Sequence, residues 1–370
     1  MNRLEVPYVA FPQQVAKIKT ELMQAVEGVL DSGMYVMGEK MREFEREFAA
    51  YCGAEYGAGV ANGTCSLHLV LRGIGVESGD EVITVPNSFI ASAGAIGVIG
   101  AKPVFVDVQD DMNIDPEQIE LAITPRTKAI MPVHLTGRPA KMDRIMEIAK
   151  SNGLIVIEDA AQAVGAKYKG RLVGAIGDAG CFSLHPLKNL HAFGDGGMMI
   201  TNDKKLYDTI LMSRNHGLRN RDECDFWSLN CRLDEMQAAM LRVQLPYLNE
   251  WTEQRRQLAF RYNELLKPHV DVPEEGVDEY CVYQTYVVQA DNRDALLAAL
   301  KENGVEANVH YPRPLHMQAA ARSLGYREDQ FPVTQKLATR ILSLPLYPEL
   351  THEQQDYIAE QVSRFYEKTN

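Results

Sequence analysis

The 370-residue sequence predicts an α/β fold, with a mostly parallel sheet flanked by helices and a smaller C-terminal α+β domain. The first two thirds of the chain contain short, almost continuously apolar runs: DEVITVP, AKPVFVD, TKAIMPVH, LIVIEDA and AGCFSLH. Helical stretches such as MDRIMEIAKSNG alternate with them. Runs that are apolar throughout are typical of strands buried on both faces, as in parallel sheets covered by helices.

The pattern changes after the long amphipathic segment RLDEMQAAMLRVQLPYLNEWTEQRRQLAFRYNELLK. The segment QTYVVQADNRDALLAALKENGVEANV then predicts a strand, a helix and a second strand. We therefore assign residues 1–245 to a large domain and residues 246–370 to a small one. We expect the N-terminal segment to pack on the small domain.

Composition excludes several classes of function. The formal net charge of −12 argues against nucleic-acid binding, which requires clustered lysine and arginine, so an anionic ligand needs a local pocket. The sequence opens without a signal-peptide pattern, and no apolar run reaches the length of a membrane span, which predicts a cytoplasmic protein that does not contact membranes. The six cysteines form no CxxC pair, and we interpret them as reduced packing residues.

Polar residues follow the predicted strands, at the edge where parallel sheets bind ligands. Glu158 and Asp159 come at the end of LIVIEDA, and Lys188 follows the strand in AGCFSLH. Asp159 alone also suits a helix N-cap, and Lys188 alone also suits a solvated loop. The chain between them is long enough to cross to a neighbouring strand and return to the same crevice.

An aspartate facing a lysine across such a crevice is the arrangement that pyridoxal 5′-phosphate requires. A neutral lysine amine attacks the cofactor aldehyde, and a carboxylate beside the pyridine nitrogen keeps that nitrogen protonated. The segment VANGTCSLHLVLRGIG offers a phosphate site, since Asn62, Gly63 and Thr64 precede an amphipathic helix. An ordinary capped helix explains that segment equally well. GIGVESG has the wrong context and spacing for a dinucleotide loop.

Taken together, these segments resemble the DegT/DnrJ/EryC1/StrS sugar aminotransferases, which are fold-type I pyridoxal-phosphate enzymes. The resemblance covers almost the whole chain. It rests on MYVMGEKMREFEREFAAYCG, NGTCSLHLVL, GDEVITVPNSFIASAGAI, NIDPEQIELAITPRTKAIMPVHLTGRPAKMDRI, IEDAAQAVGAKYKGRLVGAIGDAGCFSLHPLKN, NCRLDEMQAAML, NVHYPRPLHMQ and LSLPLYPEL.

The resemblance implies a role for each matching residue. Lys188 would form the Schiff base, and Asp159 would partner the pyridine nitrogen. Gln162 would contact the ring or its phenolic oxygen, and Phe89 would stack on the ring face. The phosphate would be bound by Gly63, Thr64, the backbone of Cys65, Ser183 and, from the second subunit of a homodimer, Asn230. The resemblance therefore places the active site at a dimer interface.

The loop HPLKNLHAFGDGG, residues 185–197, contains further polar groups. Its glycines allow a tight turn beside Lys188, and we interpret Asp195 as a turn residue. His185 and His191 are interpreted as oriented loop residues, either of which could hydrogen-bond to a substrate. No third ligand with recognisable spacing lies nearby, so we predict no metal site.

The leading hypothesis is a transaminase that moves an amino group from L-glutamate to a keto-sugar attached to a nucleoside diphosphate. KNLHAFGDGG looks more like family members that act on 3-keto sugars than like those with a TTGEGG-like turn. Predicted substrate contacts are Tyr35, His185, His310, Tyr311 and His316. Two alternatives remain: a sugar dehydratase, disfavoured because that branch replaces the lysine with histidine, and a non-catalytic regulator that binds the cofactor or a sugar nucleotide. The sequence does not give the sugar, the nucleotide or the aminated carbon.

Overall fold

A computed structural model describes residues 3–369 and contains the predicted alternation of strands and helices. The strands are β1 Tyr56–Val60, β2 Glu81–Thr84, β3 Lys102–Phe105, β4 Thr127–Ile130, β5 Ile155–Asp159, β6 Lys167–Tyr168, β7 Arg171–Leu172, β8 Ala179–Ser183, β9 Gly197–Thr201, β10 Glu279–Tyr280, β11 Tyr286–Gln289 and β12 Ile341–Leu344. The helices are α1 Phe11–Ser32, α2 Glu39–Cys52, α3 Gly63–Gly73, α4 Ile90–Val98, α5 Pro116–Ala122, α6 Met142–Asn152, α7 Lys204–Ser213, α8 Glu235–Gln244, α9 Leu248–Leu266, α10 Arg293–Glu302, α11 Pro332–Arg340 and α12 His352–Thr369.

The central sheet has seven strands in the order β1-β9-β8-β5-β4-β2-β3. Its pairings are parallel except for β9, which runs antiparallel to both β1 and β8. The predicted fold class is therefore confirmed, and the five apolar runs named above correspond to β2, β3, β4, β5 and β8. Strands β1 and β9, which we did not predict, extend the sheet beyond β8.

The strand directions bring three chain segments to one edge of the sheet. Because β1, β5 and β8 run the same way, Val60, Asp159 and Ser183 all lie at their carboxyl ends. β9 starts at that edge, where Gly197 pairs with both Val60 and Ser183. A Cβ atom on Gly197 would lie 2.4 Å from the carbonyl carbon of Asn62, so this close approach requires glycine.

Helices cover both faces of the sheet because its strands are apolar on both faces. On β5, Val156 belongs to one buried cluster with Phe182, while the next residue, Ile157, belongs to another with Leu69. Alternation along a strand sends neighbouring side chains to opposite faces, which explains the two layers of core.

The C-terminal region has its own buried cluster around the antiparallel pair of β11 and β12. Val6 joins this cluster and pairs with Val305, so the N-terminal strand segment lies against the C-terminal region. Helix α9 begins in the first core at Leu248 and continues into this one at Leu258. The division at residue 246 stays a prediction. Within residues 3–369, no helix is both long and apolar enough to cross a membrane.

Candidate active site

A cavity of about 440 Å³ lies at the carboxyl edge of the sheet, between the sheet and the C-terminal region. Ten of the predicted site residues line it: Gly63, Thr64, Phe89, Asp159, Gln162, Ser183, His185, Lys188, His310 and Tyr311. These residues come from segments nearly 250 positions apart in the sequence. Their convergence on one concave site is the geometry expected of a ligand pocket in an open α/β sheet.

Lys188 lies in the loop that follows β8, and its backbone N–H donates to the carbonyl of His185 at 2.8 Å. Its side chain lines the cavity. Burial disfavours the charged ammonium and lowers the pKa of Lys188 from 10.5 to about 8, although the charge of Asp159 acts in the opposite direction. A substantial fraction of this amine is therefore neutral near physiological pH, as a nucleophile requires.

This pKa predicts the pH dependence of cofactor attachment. When pyridoxal phosphate is added to cofactor-free protein, the rate constant for covalent attachment at Lys188 should rise with pH and level off above about 8. The sign follows because only the unprotonated amine attacks an aldehyde. Stopped-flow absorbance across the neutral to alkaline range measures the profile. A midpoint near 10.5, the value of an ordinary lysine, would contradict the assignment.

Asp159 ends β5 and is buried at the floor of the cavity. Its Oδ2 accepts a hydrogen bond from Ser92 Oγ at 2.7 Å, and its Oδ1 accepts one from the N–H of Ala161 at 3.2 Å. Ser88 Oγ lies 2.8 Å from Ser92 Oγ and must donate to it, since the hydroxyl hydrogen of Ser92 is already used. Burial raises the pKa of Asp159, while these hydrogen bonds oppose that shift. A protonated pyridine nitrogen beside this buried group would favour its ionised form, and the carboxylate would in turn keep that nitrogen protonated.

Glu158, the other carboxylate at this strand end, points away from the cavity into the protein. Its two oxygens accept from the N–H groups of Gly174, Ile176 and Gly177 at 2.6–2.8 Å. His134 Nε2 lies 2.8 Å away, and His134 Nδ1 accepts from the N–H of Ala140, so Nε2 carries the hydrogen. Strand alternation thus separates a structural carboxylate from one that faces the cavity.

The N-terminus of α3 opens onto the cavity. Asn62 caps the helix, and its Oδ1 accepts from the N–H of Cys65 at 2.8 Å. Gly63 and Thr64, whose N–H groups have no intrahelical acceptor, line the cavity together with Ser183. A Cβ atom on Gly63 would lie 2.9 Å from Ser183 Cβ, so glycine keeps this cradle open. The helix dipole and free N–H groups favour a phosphate here.

Gln162 and Phe89 approach the cavity from two sides. Gln162 Oε1 accepts from the N–H of Thr136 at 2.6 Å, and its Nε2 donates to Tyr311 Oη at 3.2 Å. The ring of Phe89 is 53% exposed and lies 5.7 Å from that of Tyr311, centroid to centroid. With the amine, the carboxylate and the anion site, these residues fit a flat pyridine ring that carries a phosphate and an aldehyde.

His310 lines the cavity from the C-terminal region, with Nδ1 2.9 Å from Ser343 Oγ. Burial, assisted by the charge of Lys188, lowers the pKa of His310 to about 4. His310 is therefore neutral at pH 7 and serves as a hydrogen-bonding group rather than as a cation.

Four of the predicted site residues do not line the cavity of their own chain. They are Tyr35, Cys65, Asn230 and His316. His316 is buried against Phe331, and its Nε2 lies 3.4 Å from the carbonyl of Glu328. Tyr35 and Asn230 are exposed. The backbone of Cys65 was predicted to bind the phosphate, but its N–H donates to Asn62 Oδ1 at 2.8 Å. The predicted ligand roles of these residues stay predictions.

The remaining polar residues of the 185–197 loop lie in different surroundings. Asp195 lines the cavity, whereas His191 is buried between the rings of Phe11 and Phe193. Across residues 3–369, no group of three or more histidine, cysteine, aspartate or glutamate side chains is arranged to hold a metal ion.

The sequence analysis missed several residues that line the cavity: Tyr8, Leu67, Ser88, Ser92, Arg255, Gln284 and Thr285. Ser88 and Ser92 could have been found from the sequence. They are four residues apart across the start of a helix, and this spacing places both hydroxyls on the same side. Arg255 could also have been found, since it lies on the buried face of α9 with Trp251 and Leu258. Tyr8 and Thr285 stand in segments without a comparable pattern.

A lysine and an aspartate at the carboxyl edge of this sheet, beside the N-terminus of a helix, define a pyridoxal-phosphate-dependent enzyme of fold type I. The chain belongs to the DegT/DnrJ/EryC1/StrS aminotransferase family, whose family model matches residues 16–363. The predictions of family, aminotransferase activity and pyridoxal 5′-phosphate as cofactor are thereby confirmed.

Named relatives cover nearly the whole chain. A pleiotropic regulatory protein from Geobacillus stearothermophilus is 46% identical over 98% of this chain and 99% of its own length. The dTDP-3-amino-3,4,6-trideoxy-alpha-D-glucose transaminase of Streptomyces venezuelae is 40% identical over 100% of this chain and 99% of its own. The crystal structure of S. venezuelae DesV in complex with a ketimine intermediate has a TM-score of 0.95 at 40% identity and covers 98% of both chains.

Proposed function

We propose that this aminotransferase moves the amino group of L-glutamate to C3 of a keto-sugar carried on a nucleoside diphosphate. The observation that carries the proposal is the pairing of Lys188 and Asp159 in one cavity beside the α3 N-terminus. When bound, pyridoxal phosphate supplies an aldehyde that accepts the amino group and a ring that accepts electrons. Similarity to the S. venezuelae transaminase and the KNLHAFGDGG loop both favour amination at C3.

Different residues of the cavity would bind the cofactor and transfer the proton. Asp159 would hold a proton at the ring nitrogen, Phe89 would cover one ring face, and the phosphate would be bound by Gly63, Thr64 and Ser183. Lys188 would hold the cofactor aldehyde through its amine and is also the nearby base that would take the proton from the donor Cα. Its pKa of about 8 lets it both accept and return that proton near neutral pH.

The direct test is a discontinuous assay with L-glutamate and dTDP- or UDP-linked 3-keto sugars. We expect 2-oxoglutarate and a 3-amino sugar in equal amounts. A deoxygenated sugar would instead identify a dehydratase. Amination at C4 would contradict the proposed carbon but would still identify a transaminase.

A regulatory role is the second candidate, because the chain is 46% identical to a protein named as a pleiotropic regulator. A protein that only binds and regulates has no need for a nucleophilic amine beside a buried carboxylate. Absence of 2-oxoglutarate with every keto-sugar, together with retained binding of the cofactor, would favour this candidate.

We further propose that the active protein is a homodimer whose sites are shared. Asn230 is exposed and lies outside the cavity of its own chain. Beside it stand Trp227, which is 89% exposed, and the exposed side chains of Phe226 and Leu229. Exposed aromatic residues in one patch are typical of subunit interfaces, and a two-fold axis there would present each Asn230 to the other subunit.

Subunit complementation tests the shared site. Lys188→Ala and Asn230→Asp homodimers should each be inactive, while equal mixing should restore about a quarter of wild-type activity. The fraction follows because half of randomly paired dimers are mixed and one of their two sites carries neither lesion. If mass spectrometry shows exchange and no activity returns, Asn230 acts in its own subunit and the shared site is rejected.

A further inference from the structure

Cys65 and Cys231 are two free thiols that lie next to each other at the N-terminus of α3. The Cys231 side chain hydrogen-bonds to the Cys65 sulfur, and Cys65 packs against the buried cluster to which Cys231 belongs. Neither sulfur takes part in the cofactor contacts described above. A pair of neighbouring thiols beside the turn proposed to bind the cofactor phosphate therefore requires a separate explanation.

Backbone contacts hold the two segments together. The N–H of Ala61 donates to the carbonyl of Cys231 at 3.1 Å, and Val60 pairs with Arg232 in an isolated antiparallel bridge. Cys65 follows one helical turn later, on α3. A disulfide would therefore join segments that are already neighbours, so it would require movement of side chains rather than rearrangement of the fold.

The two thiols differ in reactivity. Cys65 is half-buried, whereas Cys231 is buried. The hydrogen bond from the Cys231 thiol lowers the pKa of Cys65, although burial and the charge of Asp195 oppose that shift, and the same bond raises the pKa of Cys231. A position in the first turn of a helix also favours a thiolate, because of the helix dipole. Cys65 is therefore the nucleophile of the pair, and Cys231 is the thiol placed to react with it.

The other four cysteines differ from this pair. Cys52, Cys181 and Cys281 are buried, and burial raises the pKa of each thiol. Cys224 is exposed, and its Sγ lies 3.4 Å and 3.1 Å from two backbone carbonyl oxygens. Cys224 therefore provides an exposed thiol for comparison.

We propose that Cys65 and Cys231 form a site of reversible oxidation, at which a hydroperoxide converts the two thiols into a disulfide within the chain. With hydrogen peroxide, the Cys65 thiolate attacks one oxygen, the O–O bond breaks, and hydroxide leaves and is protonated to water, while Cys65 becomes a sulfenic acid. The Cys231 sulfur then gives up its proton and attacks the sulfenic sulfur, which forms the S–S bond and releases a second water. The two thiols lose two electrons and two protons, and the peroxide is reduced to two waters.

The disulfide acts on the cofactor site through the first turn of α3. Gly63 and Thr64 line the cavity and directly precede Cys65, whose N–H donates to Asn62 Oδ1 at 2.8 Å. Drawing Cys65 towards Cys231 displaces this turn, so the cofactor phosphate loses part of its binding. Oxidation therefore weakens retention of the cofactor, whichever sugar and amino donor the enzyme uses.

The test treats the holoenzyme with hydrogen peroxide, alkylates the remaining thiols and maps the peptides without reductant. In wild type and in the exposed-thiol control Cys224→Ser, we expect a disulfide between Cys65 and Cys231 that dithiothreitol reverses. The rate constant for cofactor dissociation, followed by absorbance after dilution, should rise at least about tenfold on oxidation, or about 1.4 kcal/mol. It should return to its initial value with dithiothreitol, which does not reverse methionine oxidation.

Variants of the pair separate the two thiols. In Cys231→Ser no such disulfide can form, so Cys65 should stop at the sulfenic acid, which dimedone captures. Peroxide should then change cofactor dissociation by less than about twofold. Cys65→Ser should give no dimedone adduct on Cys231. If circular dichroism shows that the buried hydroxyl of Cys231→Ser prevents folding, Cys231→Ala takes its place.

Three results would overturn the proposal. They are wild type in which both thiols stay free at a peroxide concentration that oxidises free cysteine, disulfides that join Cys224 or two chains instead, and a disulfide between Cys65 and Cys231 that leaves cofactor dissociation unchanged. Failure of the sugar assay alone would reject the proposed function and not this inference, because mapping of the thiols needs no substrate.

Discussion

Lys188→Ala should abolish transamination, with turnover falling by roughly four orders of magnitude or more, because no other lysine within residues 3–369 lines the cavity. The fold should persist, since the hydrogen bond of Lys188 to His185 comes from the backbone and survives the substitution. Formation of 2-oxoglutarate measures turnover, and circular dichroism measures the fold. Borohydride reduction of wild type followed by peptide mapping should locate the cofactor on Lys188.

The matched control for that substitution is Lys150→Ala, which removes an exposed lysine from the last turn of α6. It should keep wild-type turnover and wild-type labelling. Reduced cofactor on any other lysine, or substantial turnover in Lys188→Ala, would reject Lys188 as the reacting group.

The sequence predicted candidate site residues best where a single local pattern indicated both the secondary-structure element and the polar residue at its end. Asp159 ends an apolar strand and Lys188 follows another, so the parallel pairing of β5 and β8 brings these two residues to one edge. Gly63 and Thr64 open an amphipathic helix, but they reach that edge through β1, which the sequence analysis did not predict. The structure confirms this fold. Roles taken from the resemblance, such as that of Phe89, now have a matching position but remain predictions.

The sequence predicted poorly the groups that reach the cavity through packing between distant segments. Ser92 contacts Asp159 across 67 positions, and Tyr311 contacts Gln162 across 149. Periodicity reports which face of an element is buried, not which element covers it. His316 shows the converse: a histidine in a polar motif that the fold buries against Phe331.

Electrostatic balance also depends on the folded structure. Glu158 and Asp159 are adjacent in sequence, yet three backbone N–H groups and His134 bind the first, while two hydrogen bonds and the cavity surround the second. The low pKa of Lys188 likewise arises from burial, which composition does not reveal. Strand alternation sends the two carboxylates to opposite faces, and tertiary packing then gives each its own hydrogen-bond partners.

Asp159→Asn should lower turnover by at least about a hundredfold, equivalent to about 2.7 kcal/mol of transition-state stabilisation. The amide nearly preserves the shape of the carboxylate, and its oxygen can still accept from Ser92, so the fold should change little although the bond from the Ala161 N–H is lost. It cannot hold a proton on the pyridine nitrogen, and the cofactor ring becomes a weaker electron acceptor. Turnover with L-glutamate, thermal unfolding and the absorbance of the bound cofactor measure the three effects.

Asp203→Asn is the matched control, because Asp203 caps α7 by accepting from the N–H groups of Lys205 and Leu206, away from the cavity. Asparagine caps a helix about as well as aspartate, so this variant should keep both stability and turnover. If Asp159 only ordered the local backbone through Ala161, the two substitutions would behave alike. Near-normal turnover and an unchanged cofactor spectrum in Asp159→Asn would therefore remove Asp159 from the chemistry, whereas a large loss of turnover confined to Asp159→Asn, with its unfolding temperature close to wild type, assigns it to the ring nitrogen.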